Sequence, residues 1–208
     1  LQTLHVHKGG AELGGASLQL PGAYNVQNAL VALSVALSLE VPFDRVARGL
    51  GTFPGLWRRF EKLGAWNGAE VYTDYAHHPT ALLNLLEGAR RFFPKKRLVL
   101  CFEPHQHART RGLFDEFVAS MDDADVLVLT EIYDVAGRNE VAAGTSSAEL
   151  VDAIKKRDQA RGVERPVVFA EDLDAAVERL QESVEDGDLL LMTGAGDIDA
   201  VARNMVGV

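Results

Sequence analysis

The chain has 208 residues, 47% of them hydrophobic and 25% charged, which suffices for one good core and a smaller unit in ordinary globular proportions. Its formal net charge of −9 argues against a general nucleic-acid binder, which would carry a basic face, yet leaves room for an anionic nucleotide beside a local arginine cluster. The single cysteine, Cys101, cannot form an internal disulfide and sits in an apolar run, as a buried thiol would. With no leader peptide and no apolar run near the ~20 residues that span a bilayer, a cytoplasmic protein without membrane contact is expected.

Residues 1–20 read as a hairpin. Leu4 and Val6 alternate with polar neighbours, Gly9-Gly10 and Gly14-Gly15 supply turns, and Leu18 and Leu20 alternate again. Leu1 stands where an initiator methionine would, so the numbering is expected to begin inside a longer protein. Pro21-Gly22 breaks the strand. A helix then starts near Asn25; Val26, Ala29, Leu30, Leu33 and Leu37 make it apolar on most sides, the pattern of a buried helix. On that reading Asn25 and Asn28 are a cap and a first-turn polar residue. Val41-Pro42-Phe43 ends the helix, and Asp44 to Leu50 form a short second one. The turn-rich Gly51-Thr52-Phe53-Pro54-Gly55 marks a domain boundary near residue 56, giving units 1–55 and 56–208.

Trp57 to Leu63 reads as an alternating strand, with Arg58 and Arg59 on opposite faces. One arginine is expected in solvent; the other is placed to offer its guanidinium fork to phosphate oxygens. Asn67-Gly68 makes a hairpin turn into a strand at 69–73. Then comes Val71-Tyr72-Thr73-Asp74-Tyr75-Ala76-His77-His78-Pro79-Thr80, a strand ending in a polar turn that runs into a helix. Pro79 suits a first helical turn, and Ala81, Leu82, Leu85, Leu86, Ala89 and Phe92 recur at helical spacing. A carboxylate, a phenol and two imidazoles thus gather at the carboxyl end of a strand, where open α/β sheets bind ligands, beside a helix N-terminus that favours anions. Asp74 reads equally as a turn residue, and two adjacent histidines point different ways.

Strands follow at Leu98–Phe102, Val126–Leu129, Pro166–Phe169 and Leu189–Met192. Helices are expected at Arg109–Met121, Ser147–Lys156, Leu173–Val184 and Ile198–Met205. This alternation implies an α/β fold, a Rossmann-like domain with a mainly parallel sheet. Its strands end in polar or glycine-rich sequence: Glu103 to Arg111, Thr130 to Asp134, and Thr193-Gly194-Ala195-Gly196-Asp197. Four histidines with Asp74 and Glu103 suggest a metal site, but no pair has His-x-x-x-His spacing and the nearby cations would repel a metal, so no protein-held metal is expected. An anion site fits better, with His105 and Arg109 as donors to a carboxylate or phosphate. The Gly-x-Gly at 194–196 is a weak dinucleotide signal, since Asp199 stands where the third glycine belongs.

Four stretches together carry a more specific signal: Pro21-Gly22-Ala23-Tyr24-Asn25-Val26-Gln27-Asn28-Ala29-Leu30, Arg58-Arg59-Phe60-Glu61, Asp74-Tyr75-Ala76-His77-His78-Pro79-Thr80, and Glu103-Pro104-His105-Gln106-His107-Ala108-Arg109-Thr110. In order and spacing they resemble the Mur ligase family, most of all the branch that adds L-alanine to UDP-N-acetylmuramate in peptidoglycan precursor synthesis. The resemblance implies a Rossmann-like C-terminal domain preceded by part of a central ATPase domain. It implies an ADP-forming ligase that uses ATP and Mg2+, with UDP-N-acetylmuramate and L-alanine as substrates. Asn25 and Asn28 would meet adenine, Asp74 the ribose, and Tyr75 the same nucleotide. Arg59 would lie near the phosphates, His77 near the reacting phosphate, and His105 and Arg109 at the second substrate. Tyr24 replaces the family's usual histidine, and Gln106-His107 its usual Arg-Tyr. No Gly-x-x-x-x-Gly-Lys-Ser/Thr loop occurs in the chain. The family carries that loop earlier, so the chain is expected to be a fragment that lacks the N-terminal half, closes about Gly51–Gly55 and does not ligate alone. Three alternatives stand beside it: a ligase that recycles whole peptides, a non-catalytic nucleotide-binding module, and an NAD enzyme.

Overall fold

A computed structural model describes residues 1–133 and 145–208; Asp134, the last residue of one expected polar strand end, lies outside the described residues. The first 55 residues form a hairpin with two helices packed on it. Strands β1 (Gln2–Lys8) and β2 (Ala11–Leu18) pair antiparallel around Gly9-Gly10. Gly14-Gly15 is not a turn. It lies within β2, opposite a register shift at Val6/His7, and a Cβ on Gly14 would meet the Phe43 ring at 2.9 Å. Helices α1 (Ala23–Ser38) and α2 (Phe43–Thr52) cover one side, and Val6, Ala16 and Leu33 make a small core with Phe43, Val46 and Leu50.

Helix α1 departs from expectation in two ways. Its cap is Gly22, at φ 91°, and Asn25 sits inside the first turn with Nδ2 donating to the Pro21 carbonyl at 2.7 Å. Only Ala29 and Leu33 are buried, while Leu30, Val31 and Val35 are exposed. The apolar pattern on most of its surface therefore exceeds what this chain covers.

Among the described residues, 56–133 and 145–208 form a six-stranded sheet between two helical layers. The strands are β3 (Glu61–Trp66), β4 (Ala69–Asp74), β5 (Leu98–Glu103), β6 (Val126–Thr130), β7 (Val167–Ala170) and β8 (Leu189–Gly194). Their order is β3-β4-β8-β5-β6-β7, with β3 antiparallel to β4 and every other pairing parallel. Inserting β8 between β4 and β5 aligns three carboxyl ends: Asp74 opposite Thr193, and Glu103 opposite Gly194.

One face of the sheet is covered by α3 (Pro79–Phe92), α5 (Phe114–Ser120) and α6 (Ser147–Arg161), burying Leu82, Leu86, Phe102, Phe117 and Ile154. The other is covered by α7 (Leu173–Ser183) and α8 (Ile198–Val206), burying Val71, Cys101, Leu180 and Ile198. Strands β5, β6 and β8 are buried along their whole length, which is why they read as continuous apolar runs.

Two other expectations fail locally. Trp57 to Phe60 is a tight turn and not a strand: Arg58 and Phe60 take φ of 53° and 49°. Their amides are drawn to side chains, Arg58 N–H to Glu61 Oε2 and Phe60 N–H to Asp74 Oδ2, each at 2.8 Å, instead of to a strand neighbour. The expected helix Arg109–Met121 breaks into α4 (His107–Gly112) and α5, because Leu113 after Gly112 leaves helical geometry at φ −125°, ψ 30°. The two units touch where Gly88 of α3 meets Gly22; a Cβ on Gly88 would lie 3.2 Å from the Gly22 Cα. Among the described residues, no helix is long and apolar enough to cross a membrane.

Candidate functional site

Between the two units lies a cavity of about 1040 Å³. Its exposed walls are largely apolar, with Leu18, Leu20, Ala29, Leu50, Phe53 and Leu85 among them, and polar side chains are set between them. A concave, mainly apolar pocket with placed polar groups is the usual form of a small-molecule site. Helix α1 contributes Tyr24, Asn25 and Asn28; the turn before β3 contributes Arg59; β4 contributes Asp74; and the start of α3 contributes His78, Thr80 and Asn84. Four expected nucleotide residues, Asn25, Asn28, Arg59 and Asp74, therefore line one space. Thr80 and Asn84 were not anticipated, although their polar i, i+4 spacing on an apolar helix was visible.

Asp74 is buried at the cavity edge and holds the surrounding turns together. Oδ2 accepts from Phe60 N–H and Oδ1 from Ala76 N–H, both at 2.8 Å. Burial pushes its carboxyl above the usual carboxylate range, opposed by those two amides and by Arg59 and Arg58. The Tyr24 phenol is pushed up to about 12, first by burial and then by Asp74, so it stays protonated. His78 caps α3: its Nδ1 accepts from Thr80 N–H at 3.3 Å.

Tyr75, His77, His105 and Arg109 lie outside the cavity lining. They make a second cluster at the ends of β4 and β5. The Tyr75 ring lies 4.8 Å from the Arg58 guanidinium carbon and 5.4 Å from that of Arg59. His77 Nδ1 lies 2.8 Å from the Tyr75 carbonyl oxygen; since a carbonyl only accepts, this nitrogen carries the proton and a neutral ring offers Nε2 as a base. Burial pushes the His77 imidazole below its ordinary value, with Arg109, Arg59 and His78 acting the same way and the Tyr75 carbonyl opposing. Arg109 Nη1 donates to the His105 carbonyl at 3.4 Å. His77 thus stands electrostatically between Arg59, at the cavity, and Arg109, at the second cluster.

Three residues given no part in the nucleotide or amino-acid site hold this edge in place. Arg58, expected at most as a solvated partner of Arg59, is buried, and its Nη2 donates to the carbonyls of Gly194 and Gly196. The glycine turn at 194–196 is thus filled by the protein's own guanidinium, not shaped around a dinucleotide. Glu103 accepts from Ile198 N–H at 3.3 Å and is pushed up to about 6, mainly by burial. Tyr133 lies beside both Gly196 and His105. Among the described residues, no group of three or more His, Cys, Asp or Glu side chains gathers as a metal site would.

Residues 58–196 match the family model described as "Mur ligase, glutamate ligase domain". The UDP-N-acetylmuramate–L-alanine ligase of Geobacter sulfurreducens is 43% identical over 192 residues, covering 92% of this chain and 40% of that protein. The UDP-N-acetylmuramate–alanine ligase of Thermotoga maritima superposes with a TM-score of 0.77 at 28% identity, over 99% of this chain and 42% of that one. The folylpolyglutamate synthase of Mycobacterium tuberculosis, solved with ADP, shares the fold with a TM-score of 0.62 at 21% identity, over 94% of this chain and 43% of that one. The chain therefore spans about two-fifths of the length of each of these proteins.

Proposed function

The chain belongs to the Mur ligase family, and we propose that it is the adenine-facing and amino-acid-facing part of a cytoplasmic, ADP-forming ligase that joins L-alanine to UDP-N-acetylmuramate. The observation that carries this reading is the cavity where Asn25, Asn28, Arg59 and Asp74 converge from two units. Residues 1–55 are read as the end of the central ATP-binding domain, and 56–208 as the C-terminal domain.

In this reading the apolar walls take the adenine ring, and the Asn25 and Asn28 amides meet its edge. Asp74 lies at the ribose, and Arg59 offers its guanidinium to phosphate oxygens. Tyr75 acts indirectly, by holding Arg59 on its ring. The muramoyl carboxylate displaces ADP from the γ-phosphorus, giving an acyl phosphate. The amine of L-alanine attacks the acyl carbon, phosphate leaves, and the amine's surplus proton passes to a base. A neutral His77 with Nε2 available suits that acceptor, while His105 and Arg109 suit the amino-acid carboxylate.

Magnesium accompanies ATP in such ligases. The described residues do not form a site for it, because Asp74 already gives both oxygens to amides and Arg59 stands beside it, so no step here runs through the metal. The UDP-sugar and the phosphate-binding loop are assigned to the remainder of the enzyme, and the 208-residue chain is expected to bind nucleotide without ligating.

Calorimetric titration of ATP into this chain tests the reading. Weak binding is expected, reduced roughly tenfold by Arg59→Ala through loss of a charge-assisted contact. Binding that is unchanged in both Arg59→Ala and Asn28→Ala would overturn the assignment, and amide formation by the chain alone would overturn the division of labour.

A further inference from the structure

A row of side chains crosses the carboxyl edge of the sheet. Tyr133, just after β6, stacks on His105 with ring centroids 5.4 Å apart and planes 14° apart. His105 lies tilted against His77 at 6.0 Å, and His77 stands edge-on to Tyr75 at 5.1 Å. Tyr75 then carries Arg59, which lines the cavity. The row runs from the far side of the second cluster to the nucleotide cavity, and Tyr133 is its outer member.

Tyr133 is fixed by more than its ring. Its amide donates to the Pro104 carbonyl at 2.7 Å, and its carbonyl accepts from Gln106 N–H at 3.1 Å. Both neighbours of His105 are thus bonded to one residue, and His105 and Tyr133 form an isolated parallel bridge. Gln106 is held at φ 71°, a left-handed conformation that a non-glycine residue keeps only when its surroundings impose it. Behind the ring stands Gly196, where a Cβ would approach Tyr133 Cδ2 to 2.7 Å. Glycine there lets the ring lie against His105.

We propose that Tyr133 is a positioning residue for the amino-acid end of the site: its ring and backbone fix His105 and, through the His105 carbonyl, Arg109, where a substrate carboxylate is held. This rests on the ligase reading above. Tyr133 does not touch substrate. Its ring limits the rotation of the His105 imidazole, and its two backbone bonds set the corner from which α4 carries Arg109. The stack depends on the ring rather than the hydroxyl, so phenylalanine replaces tyrosine in this role.

The test uses the full-length ligase that contains this chain, with Tyr133→Ala and Tyr133→Phe. Tyr133→Ala is expected to raise KM for L-alanine roughly tenfold while KM for ATP stays within about twofold, and Tyr133→Phe to recover most of that loss. Equal changes in both KM values, or a fall in kcat alone, would overturn the proposal, since a merely structural residue would act that way. In parallel, the His105 ring-proton signal of the 208-residue chain is expected to move in Tyr133→Ala, by loss of the tyrosine ring current, while that of His78 stays. An unmoved His105 signal would also overturn it. Wild-type turnover separates the two readings: a wild-type enzyme that does not use L-alanine sinks the ligase reading, and the carboxylate role falls with it.

Discussion

Arg58 Nη2 donates to the carbonyl oxygen of Gly194, tying the turn before β3 to the end of β8 across 136 residues of chain. The same nitrogen reaches Gly196, and Nε lies 3.9 Å from Asp199. Because Arg58 is buried, Arg58→Met leaves two carbonyls short of a donor and removes the positive charge beside Asp199, and it is expected to cost roughly 2–4 kcal/mol. Arg59→Ala, at an exposed position, is expected to change stability by less than about 0.5 kcal/mol. Urea denaturation of the two variants checks the contrast; equal losses would contradict it.

Asp74 has a structural duty that any nucleotide experiment must separate from ligand contact. Asp74→Ala deprives the amides of Phe60 and Ala76 of their acceptor and is expected to destabilise the chain by roughly 2–4 kcal/mol. Asp74→Asn keeps one carbonyl oxygen and loses less. Melting curves recorded beside the ATP titrations show how much lost binding is lost fold.

Glu103 makes stability depend on pH in a defined direction. Its folded-state pKa is raised from 4.5 to about 6, so the fold favours the protonated acid. The resulting stability is fully present below pH 4.5 and is lost as pH rises through about 6. Relative to Glu103→Gln, the wild-type chain is expected to lose about 2 kcal/mol across that window. Denaturation midpoints of the pair at pH 4.5 and 7 measure it; a constant difference between them would refute the assignment.

Gly196→Ala introduces a Cβ that collides with Glu103 Oε2 and lies 2.7 Å from the Tyr133 ring. Crowding at such a tightly packed turn is expected to cost roughly 1–3 kcal/mol. Because the displaced ring is the one on His105, the same variant of the full-length enzyme should also raise KM for L-alanine. Unfolding curves and that KM are the readouts.

Cys101 is buried in the middle of β5, and its thiol is pushed up to about 12 by burial, with Glu103 adding to the effect. The thiolate is the reactive form, so the native chain is expected to resist thiol reagents at neutral pH. Labelling should appear only with unfolding, at a rate that reports opening of the sheet. Fast native labelling would contradict the packing of β5.

The α/β alternation was legible because β5, β6 and β8 carry unbroken apolar runs, Leu98–Phe102, Val126–Leu129 and Leu189–Met192, before their polar ends, and the helices between them keep their spacing. The strand-to-helix segment ending in His78-Pro79 was legible for a local reason: the cap and the proline act within a few residues. Failures came where the partner was distant. Residues 57–60 alternate like a strand, but Glu61 and Asp74 take their amides. The α1 surface looked buried because sequence records hydrophobicity and not what covers it. The Tyr133–His105 stack depends on β6 lying beside β5, a fact of sheet order that no spacing along the chain states.

The contact between Gly22 and Gly88 brings the two units together without a side chain between them. Asn25 and Asn28 follow Gly22 on α1, and Thr80 and Asn84 precede Gly88 on α3, so both sets of polar groups ride on segments that meet backbone to backbone. A methyl group on Gly88 would come within 3.2 Å of the Gly22 Cα and is expected to push those segments apart by a few tenths of an ångström. The spacing between the asparagines of α1 and the polar start of α3 thus depends on two residues that offer a ligand no functional group at all.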